Sequence, residues 1–512
     1  MKEYVINVSP LETRIALVDN KRLVELTIER QEERSVVGNI YKGRVDSIVP
    51  GIQAAFVDIG LGKNGFLYVS DIAGSEGTGD FDIDEGETLS RSRSRRGPRP
   101  SIEKILKKNQ SVMVQVQKDI MGTKGVRLTN FVTLPGRYVV LMPTVQQLGV
   151  SRKIEDDRER DRLKGILRSF RRNREFGLIV RTAGEGKSKA EIQADVRYLR
   201  KNWDRVKRKM ESSGDAQLLH EDMGPVLRTV RDTFTDDIDR LTIDNEGEFN
   251  RVTHFLDSYA PGLKKRCRVY QGKRPLFDKQ GVEEEIEKAL RRKVFLKSGG
   301  HICIDQTEAL IAIDVNTGKF TGKKRLEDTV FKTNMEAAEE VARQVRLRDM
   351  GGIIVVDFID MGLVENQRKL FRKCEESLRG DRAKTSVSDV TELGLIEMTR
   401  KRVKHNLVKA LSQPCPYCEG SGLIRSVSTV TSDTLRRLQS LFCQTREKKV
   451  VVQVHPDISR RLRNENNDLL QDIAKQFGRE IKVESVSDFH IQDVKVLSER
   501  TRKELIVSGK RS

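Results

Sequence analysis

Residues Glu308–Met361 constrain this chain more than any other stretch, because they spell strand, helix, strand. Ala309–Ile313 is an apolar run followed by Asp314-Val315-Asn316-Thr317-Gly318. Arg325–Asp349 then carries Val330, Asn334, Ala337, Ala338, Val341 and Val345 on one helical stripe. Gly351-Gly352 reads as the helix stop, and Ile353–Val356 as a second strand closing on Asp357-Phe358-Ile359-Asp360. A crossover of this kind makes its two strands parallel, so both carboxyl ends reach one sheet edge, where open α/β sheets bind ligands. Asp314 and Asp357 each stand where an apolar strand stops. Neighbouring strands lie ~5 Å apart, so the two carboxylates can share one hard cation. Magnesium is the natural occupant, since it takes oxygen ligands and keeps several waters. Asn316 shares a face with Asp314 and can orient a phosphate or a bound water without adding charge. An aspartate at a strand end is also a common turn former or helix cap, but two at one edge, each closing a hydrophobic strand that cannot hydrate it, favour a site. Asp360 is either a third acidic ligand or the start of the turn into Met361-Gly362.

The charge balance says what such a site would act on. Lys and Arg total 95 against 76 for Asp and Glu, a net charge of +19. That excess points to a polyanion, with nucleic acid the usual one and an anionic membrane surface or a merely basic soluble protein as rivals. With 512 residues, several domains are expected. There is no secretory pattern at Met1-Lys2-Glu3-Tyr4, no run near the ~20 apolar residues of a membrane span, and no repeat. Cys267, Cys303, Cys374 and Cys443 are scattered, so reduced thiols and a cytoplasmic location are expected.

Upstream the pattern is β. Residues 4–29 read as a hairpin, with Asp19-Asn20 at its turn. Asn39–Val49, Ala54–Ile59, Gly65–Val69, Ser111–Gln117 and Val126–Phe131 read as a small barrel. Gly74–Pro100 interrupts it with an acidic block and then Arg91, Arg93, Arg95, Arg96 and Arg99, the composition of a disordered loop. Residues 155–172 and 188–211 read as charged helices flanking a strand at Gly177–Val180, and Val282–Val294 as a helix. The tail reads as a small α/β domain: strand Lys449–Val454, helix Ser459–Phe477, strand Glu480–Val486.

Three further motifs carry chemistry. Cys415-Pro416-Tyr417-Cys418-Glu419-Gly420-Ser421-Gly422 has zinc-knuckle spacing, with glycines that free amides to approach sulfur. Zinc needs four ligands, and Cys443 and His405 lack matching local spacing. The economical completion is the same pair from a second chain. A redox pair is the rival, but glycines follow where a redox motif would open a helix. Gly177–Val180 runs into Arg181-Thr182-Ala183-Gly184-Glu185-Gly186-Lys187-Ser188, which fails the nucleotide-loop pattern because Arg181 stands where glycine is required. Its guanidinium, hydroxyl and amides suit a single phosphate, and a plain surface loop is the alternative. In the barrel, Phe56 and Phe66 lie amid Lys42, Arg44, Lys63, Lys118 and Lys124; aromatics in a basic groove stack single-stranded bases, although phenylalanine in a barrel is more often core.

Together these residues resemble the ribonuclease E/G family across essentially the whole chain. The matching stretches are Ala54–Gly60 with Gly65-Phe66-Leu67, Thr123-Lys124-Gly125, Gly136–Pro143, Gly177–Gly184, Ile313–Gly318, Gly351–Met361 and Cys415–Gly422. The resemblance implies that Asp314 and Asp357 are catalytic, magnesium-binding aspartates supported by Asn316. It implies that Cys415 and Cys418 form half of an intersubunit zinc link. It assigns Gly136, Val140, Arg181 and Thr182 to a pocket for a 5′-monophosphate, and Phe56, Phe66 and Lys124 to RNA contacts. The implied fold is multidomain, mixing α+β and α/β: an RNase H-like domain split over 1–36 and 227–289, and inserted in it an S1-type OB-fold barrel over 37–132 with the charged loop 74–100. A 5′-phosphate sensor over 133–226, a DNase I-like catalytic α/β domain over 290–410, a zinc link over 411–425 and a small dimerisation domain over 426–512 follow. The implied activity is endonucleolytic hydrolysis of single-stranded RNA to 5′-phosphate and 3′-hydroxyl ends in rRNA precursors and mRNA, by a homodimer or homotetramer. Two departures are the enlarged loop 74–100 and a chain that stops at Ser512 without a long scaffold arm, as in the family's short form. The rival from another class is a non-catalytic RNA-binding assembly factor; intact Asp314, Asn316 and Asp357 argue against it.

Overall fold

The computed structural model describes residues 1–32, 35–72, 81–83, 89–91, 101–119, 125–170, 176–318, 326–391, 394–401 and 406–505. Lys124, His405 and most of the loop 74–100 lie outside them. The chain divides into two compact units, Met1–Ala410 and Leu411–Ser512.

In the first unit, the expected N-terminal hairpin is a three-strand meander, Lys2–Val8, Glu12–Asp19 and Arg22–Arg30. Asn20 and Lys21 both have positive φ (50° and 64°), the backbone a tight two-residue hairpin needs. Two much later strands join in parallel: Arg240–Ile243 beside Lys2–Val8, then Cys267–Val269. No local signal links strands over 200 residues apart, so this sheet was invisible to pattern reading.

The five barrel strands follow the expected segments closely: Ile40–Val49, Ala54–Asp58, Gly65–Tyr68, Ser111–Lys118 and Arg127–Thr129. Pairing of the first with Ser111–Lys118 closes the barrel around Val45, Ala55, Val57, Leu67, Val114, Val116 and Leu128. Within the charged loop, Phe81–Ile83 pairs antiparallel with Leu89–Arg91, so part of it forms a short ribbon rather than the wholly disordered loop its composition suggested.

A four-stranded sheet (Leu134–Pro135, Val139–Met142, Gly177–Val180, Leu148–Val150) packs on helices Asp157–Ser169 and Lys189–Ser212. Ser188 and Glu191 cap the second helix reciprocally.

The strand–helix–strand reading holds. Leu310–Asn316 and Gly352–Asp357 are parallel neighbours, joined through helix Leu326–Leu347. Their sheet is mixed, however, with antiparallel strands on both sides: Lys293–Phe295 and His301–Gln306 on one, Leu395–Arg400 and Thr385–Val390 on the other. The expected helix Val282–Val294 stops at Leu290, because Lys293–Phe295 is the edge strand. The crossover helix ends at Leu347 rather than at the glycines, and Asp349 (φ 46°) supplies the left-handed turn. Ile311, Ile313, Val315, Ile354 and Val356 point under this helix and helix Val364–Leu378, into one core with Ala337, Val341 and Leu370. Among the described residues, no helix is long and apolar enough to cross a membrane.

In the second unit, Lys449–Val454 is central, parallel to Glu480–Ser485 and antiparallel to Val494–Ser498. The expected single helix Ser459–Phe477 is two, Pro456–Asn464 and Asn467–Phe477, broken where the weak helix formers Asn464 and Asn466 flank Glu465. Helix Val427–Gln444 and the last strand were not anticipated.

One polar residue of the crossover helix fixes the loop after the second parallel strand. Asn334, fully buried, donates through Nδ2 to Ile359 O at 2.7 Å and accepts at Oδ1 from Ile359 N at 3.1 Å. Asn334→Ala leaves both backbone groups without a partner, and should lower the unfolding free energy by about 2 kcal/mol in a denaturant titration.

Candidate active site

The register pairs Asp314 directly with Asp357 across the two parallel strands. Burial alternates along both strands, and the carboxylates fall on the exposed phase. They are therefore hydrated rather than trapped at the end of an apolar strand, which corrects the desolvation argument made from sequence. The reason is topological: helices cover one face of this mixed sheet, and the aspartates occupy the other. Asn316 donates from Nδ2 to Asp314 Oδ2 at 2.6 Å, so it holds that carboxylate in one orientation. Asp360 lies past the strand end, exposed, with its Oδ1 near Gly394. Among the described residues no three His, Cys, Asp or Glu side chains are grouped to hold a metal unaided. The donor set is thus two carboxylate groups and an amide on an open face, which fits a hard cation that keeps much of its water.

The neighbouring strand continues the exposed rows. Cys303 lies opposite Asp314 and His301 opposite Asn316. On the edge strand, Lys293 lies opposite Cys303 and Phe295 opposite His301. Sequence reading assigned Lys293-Val294 to the end of a helix and passed over this edge strand; the alternation at Lys293-Val294-Phe295 was the available signal.

The cysteine motif forms a knuckle. The Cys415 thiol is pushed down by the amides of Cys418 and Tyr417, and then by the Cys418 thiol. The Gly422 amide approaches Cys418 Sγ at 3.3 Å. Glu419, Gly420 and Gly422 all have positive φ, which lets the chain fold back over the sulfurs. Tyr417 O lies 2.8 Å from His490 Nε2, and the two rings sit 4.1 Å apart, which pins the knuckle to the second unit. Amides aimed at sulfur favour thiolate, the form that binds metal.

Around Arg181 the groups are more engaged than expected. Its Nη1 donates to Gly136 O and to Asp232 Oδ1, both at 2.6 Å. Burial pushes the Asp232 carboxyl up, but Arg231 and then Arg181 outweigh it and hold it at about 2. The Gly186 amide is taken by Glu159, and the Thr182 hydroxyl lies 3.3 Å from that of Ser151. Gly136 is glycine for lack of room, since a Cβ there would sit 2.5 Å from Asp195 Oδ1. Asp195 in turn accepts from the amides of Tyr138, Val139 and Arg137. Val140 is buried in the sheet. Arg181 and Thr182 line a cavity of about 770 Å³, whereas Gly136 and Val140 do not. Arg137, not singled out from sequence, also lines it; the residue is 5% exposed and its Nη1 has no hydrogen-bond partner among the described residues.

The barrel aromatics are not core. Phe56 and Phe66 are cross-strand partners with ring centroids 4.6 Å apart, half-buried on the outer face. Arg127 stands over Tyr68 on the same surface, 5.4 Å from its ring centre. Lys42 does not join them: its Nζ caps helix Lys189–Ser212 through Met210 O and Ser213 O.

The S1 RNA binding domain model matches residues 36–130, the Ribonuclease E/G family model residues 133–403, and the RNase E/G thioredoxin-like domain model residues 414–501. Ribonuclease G of Escherichia coli K12 is 39% identical over 482 residues, 94% of this chain and 96% of its own. Ribonuclease G of Haemophilus influenzae is 40% identical over 485 residues, again 94% and 96%. Ribonuclease E of Haemophilus influenzae is 38% identical over 485 residues, 94% of this chain and 50% of its own. With three family models in order and such identity over nearly its full length, the chain belongs to the ribonuclease E/G family.

Proposed function

We propose that this endoribonuclease hydrolyses single-stranded RNA with magnesium held between Asp314 and Asp357, leaving 5′-phosphate and 3′-hydroxyl ends. The observation that carries the reading is the register match of the two carboxylates on an uncovered sheet face. Magnesium there would supply a Lewis acid for a phosphate oxygen and a more acidic water. Asp314 and Asp357 provide the oxygen ligands, and Asn316, bonded to Asp314, keeps that carboxylate aimed. The open face admits a polymer anywhere along its length, as cutting within a chain requires. Phe56 and Phe66 on the barrel surface serve as a base-stacking platform, and Lys124, outside the described residues, is assigned to RNA contact by the family resemblance alone. Relatedness to ribonucleases supports a role in RNA processing, which we read as rRNA maturation and mRNA decay, and scattered unpaired thiols fit a reducing cytoplasm.

The cavity beside Arg181 and Thr182 is read as the seat of a 5′-monophosphate. Arg137 supports this, being a buried cation that lines the cavity and whose Nη1 has no hydrogen-bond partner among the described residues. The knuckle is read as half of a four-cysteine zinc site shared by two chains, making a homodimer or homotetramer. The domain plan follows the same reading: the sheet built from residues 2–30 and 240–269 as RNase H-like, 133–226 as sensor, 290–410 as DNase I-like, 411–425 as link and 426–512 as dimerising.

Three measurements test these assignments. Asp314→Ala should cut a 5′-monophosphorylated RNA oligomer on the order of 10³-fold more slowly than the native chain in magnesium. Equal rates would remove the carboxylates from the chemistry, and binding without cutting by the native chain would favour an assembly factor. Arg181→Ala should slow cleavage of 5′-monophosphate RNA about ten-fold while leaving 5′-hydroxyl RNA nearly unchanged; equal losses on both would exclude a sensing role. Cys415→Ser with Cys418→Ser should release zinc and move the protein to a smaller species in sedimentation, and unchanged mass would exclude the shared site.

A further inference from the structure

We propose that Phe295, backed by His301 and Lys293, is a stacking platform for a base of the RNA beside the scissile phosphate, an inference that rests on the reading of Asp314 and Asp357 as the cutting site. Register places the group on the same open face as the carboxylates. One row across the sheet reads Lys293, Cys303, Asp314, Asp357; the next reads Phe295, His301, Asn316. Strand spacing and rise put Phe295 roughly 10–12 Å from Asp314, within reach of a nucleotide neighbouring the cut.

The side chains are arranged for a planar, electron-rich ligand. Phe295 is 69% exposed although Val294 and Leu296 on either side of it are buried, so its ring is turned outward by the strand alternation. The His301 ring lies 6.2 Å away at 52°, forming one wall, and Lys293 Nζ stands 5.2 Å from the Phe295 centre. Ile353, 52% exposed, is on the same face in the strand of Asp357. An exposed aromatic with a cation at its side is how proteins hold single-stranded bases without reading their sequence. The barrel aromatics belong to a separate sheet, so this platform would hold the substrate at the chemistry itself.

The test uses the full chain and an RNA oligomer with one cut site, together with a set carrying a single abasic sugar at successive positions around it. Phe295→Ala should raise KM about ten-fold with kcat little changed, and Phe295→Trp should restore it. In the native chain one abasic position should cost a similar factor, and that same position should cost Phe295→Ala nothing more. An unchanged KM in Phe295→Ala overturns the proposal, as does a further loss at every abasic position, or a change confined to oligomeric state. The ring is exposed, so the variant should melt with the native chain. Absence of cleavage by the native chain would instead sink the underlying reading and the platform with it.

Discussion

Parallel pairing of Leu310–Asn316 with Gly352–Asp357 is the constraint on which the candidate active site depends. Neither strand holds its aspartate at a useful place by itself. The crossover helix must be long enough to return the chain, apolar on the stripe Ala337, Ala338, Val341 and Val345, and anchored so that the second strand stops in phase with the first. Asn334 does the last of these by bonding both backbone groups of Ile359. Arg400 closes the opposite end, joining Asp381, Asp349 and Met350 O near the left-handed turn that ends the helix. Burial pulls this guanidinium's pKa down, and the two carboxylates more than offset it.

The region around Arg181 works on a different principle. Its charges are paired inside the fold, with Asp232 between Arg231 and Arg181, and Asp195 consumed by three amides. Such pairs fix geometry more than they add stability, because removing two charges from water offsets most of their attraction. The cavity that Arg181 and Asp232 line is consequently shaped in advance, and Arg137 brings to it a donor, Nη1, without a partner among the described residues.

Local patterns were legible where the signal was local. The barrel strands, the crossover, the strand Gly177–Val180 and the central tail strand Lys449–Val454 stood within a residue or two of their observed bounds, because alternation and apolar stripes set them. What pattern could not give was long-range pairing: Arg240–Ile243 beside Lys2–Val8, or the antiparallel strands that make the sheet of Asp314 and Asp357 mixed. Among site residues, Asp314, Asn316 and Asp357 were found together as expected. Their exposure was misjudged, since which face a helix covers is decided by tertiary packing. Phe56 and Phe66 resolved the other way, with an outward-facing pair replacing the usual core role. Arg137, although inside the matching stretch Gly136–Pro143, and Phe295, which belongs to no motif, were missed because only burial and exposure in the fold single them out.

The strict alternation along Leu310–Asn316 has one more implication. Sliding this strand by a single residue against its neighbours would turn Ile311, Ile313 and Val315 to water and drive Asp314 and Asn316 beneath the helix. A mispaired chain would thus carry an ionised group into a packed interior and fail to fold. The geometry of the candidate site is in that sense proofread by folding: molecules that reach the native state have already set their two carboxylates side by side.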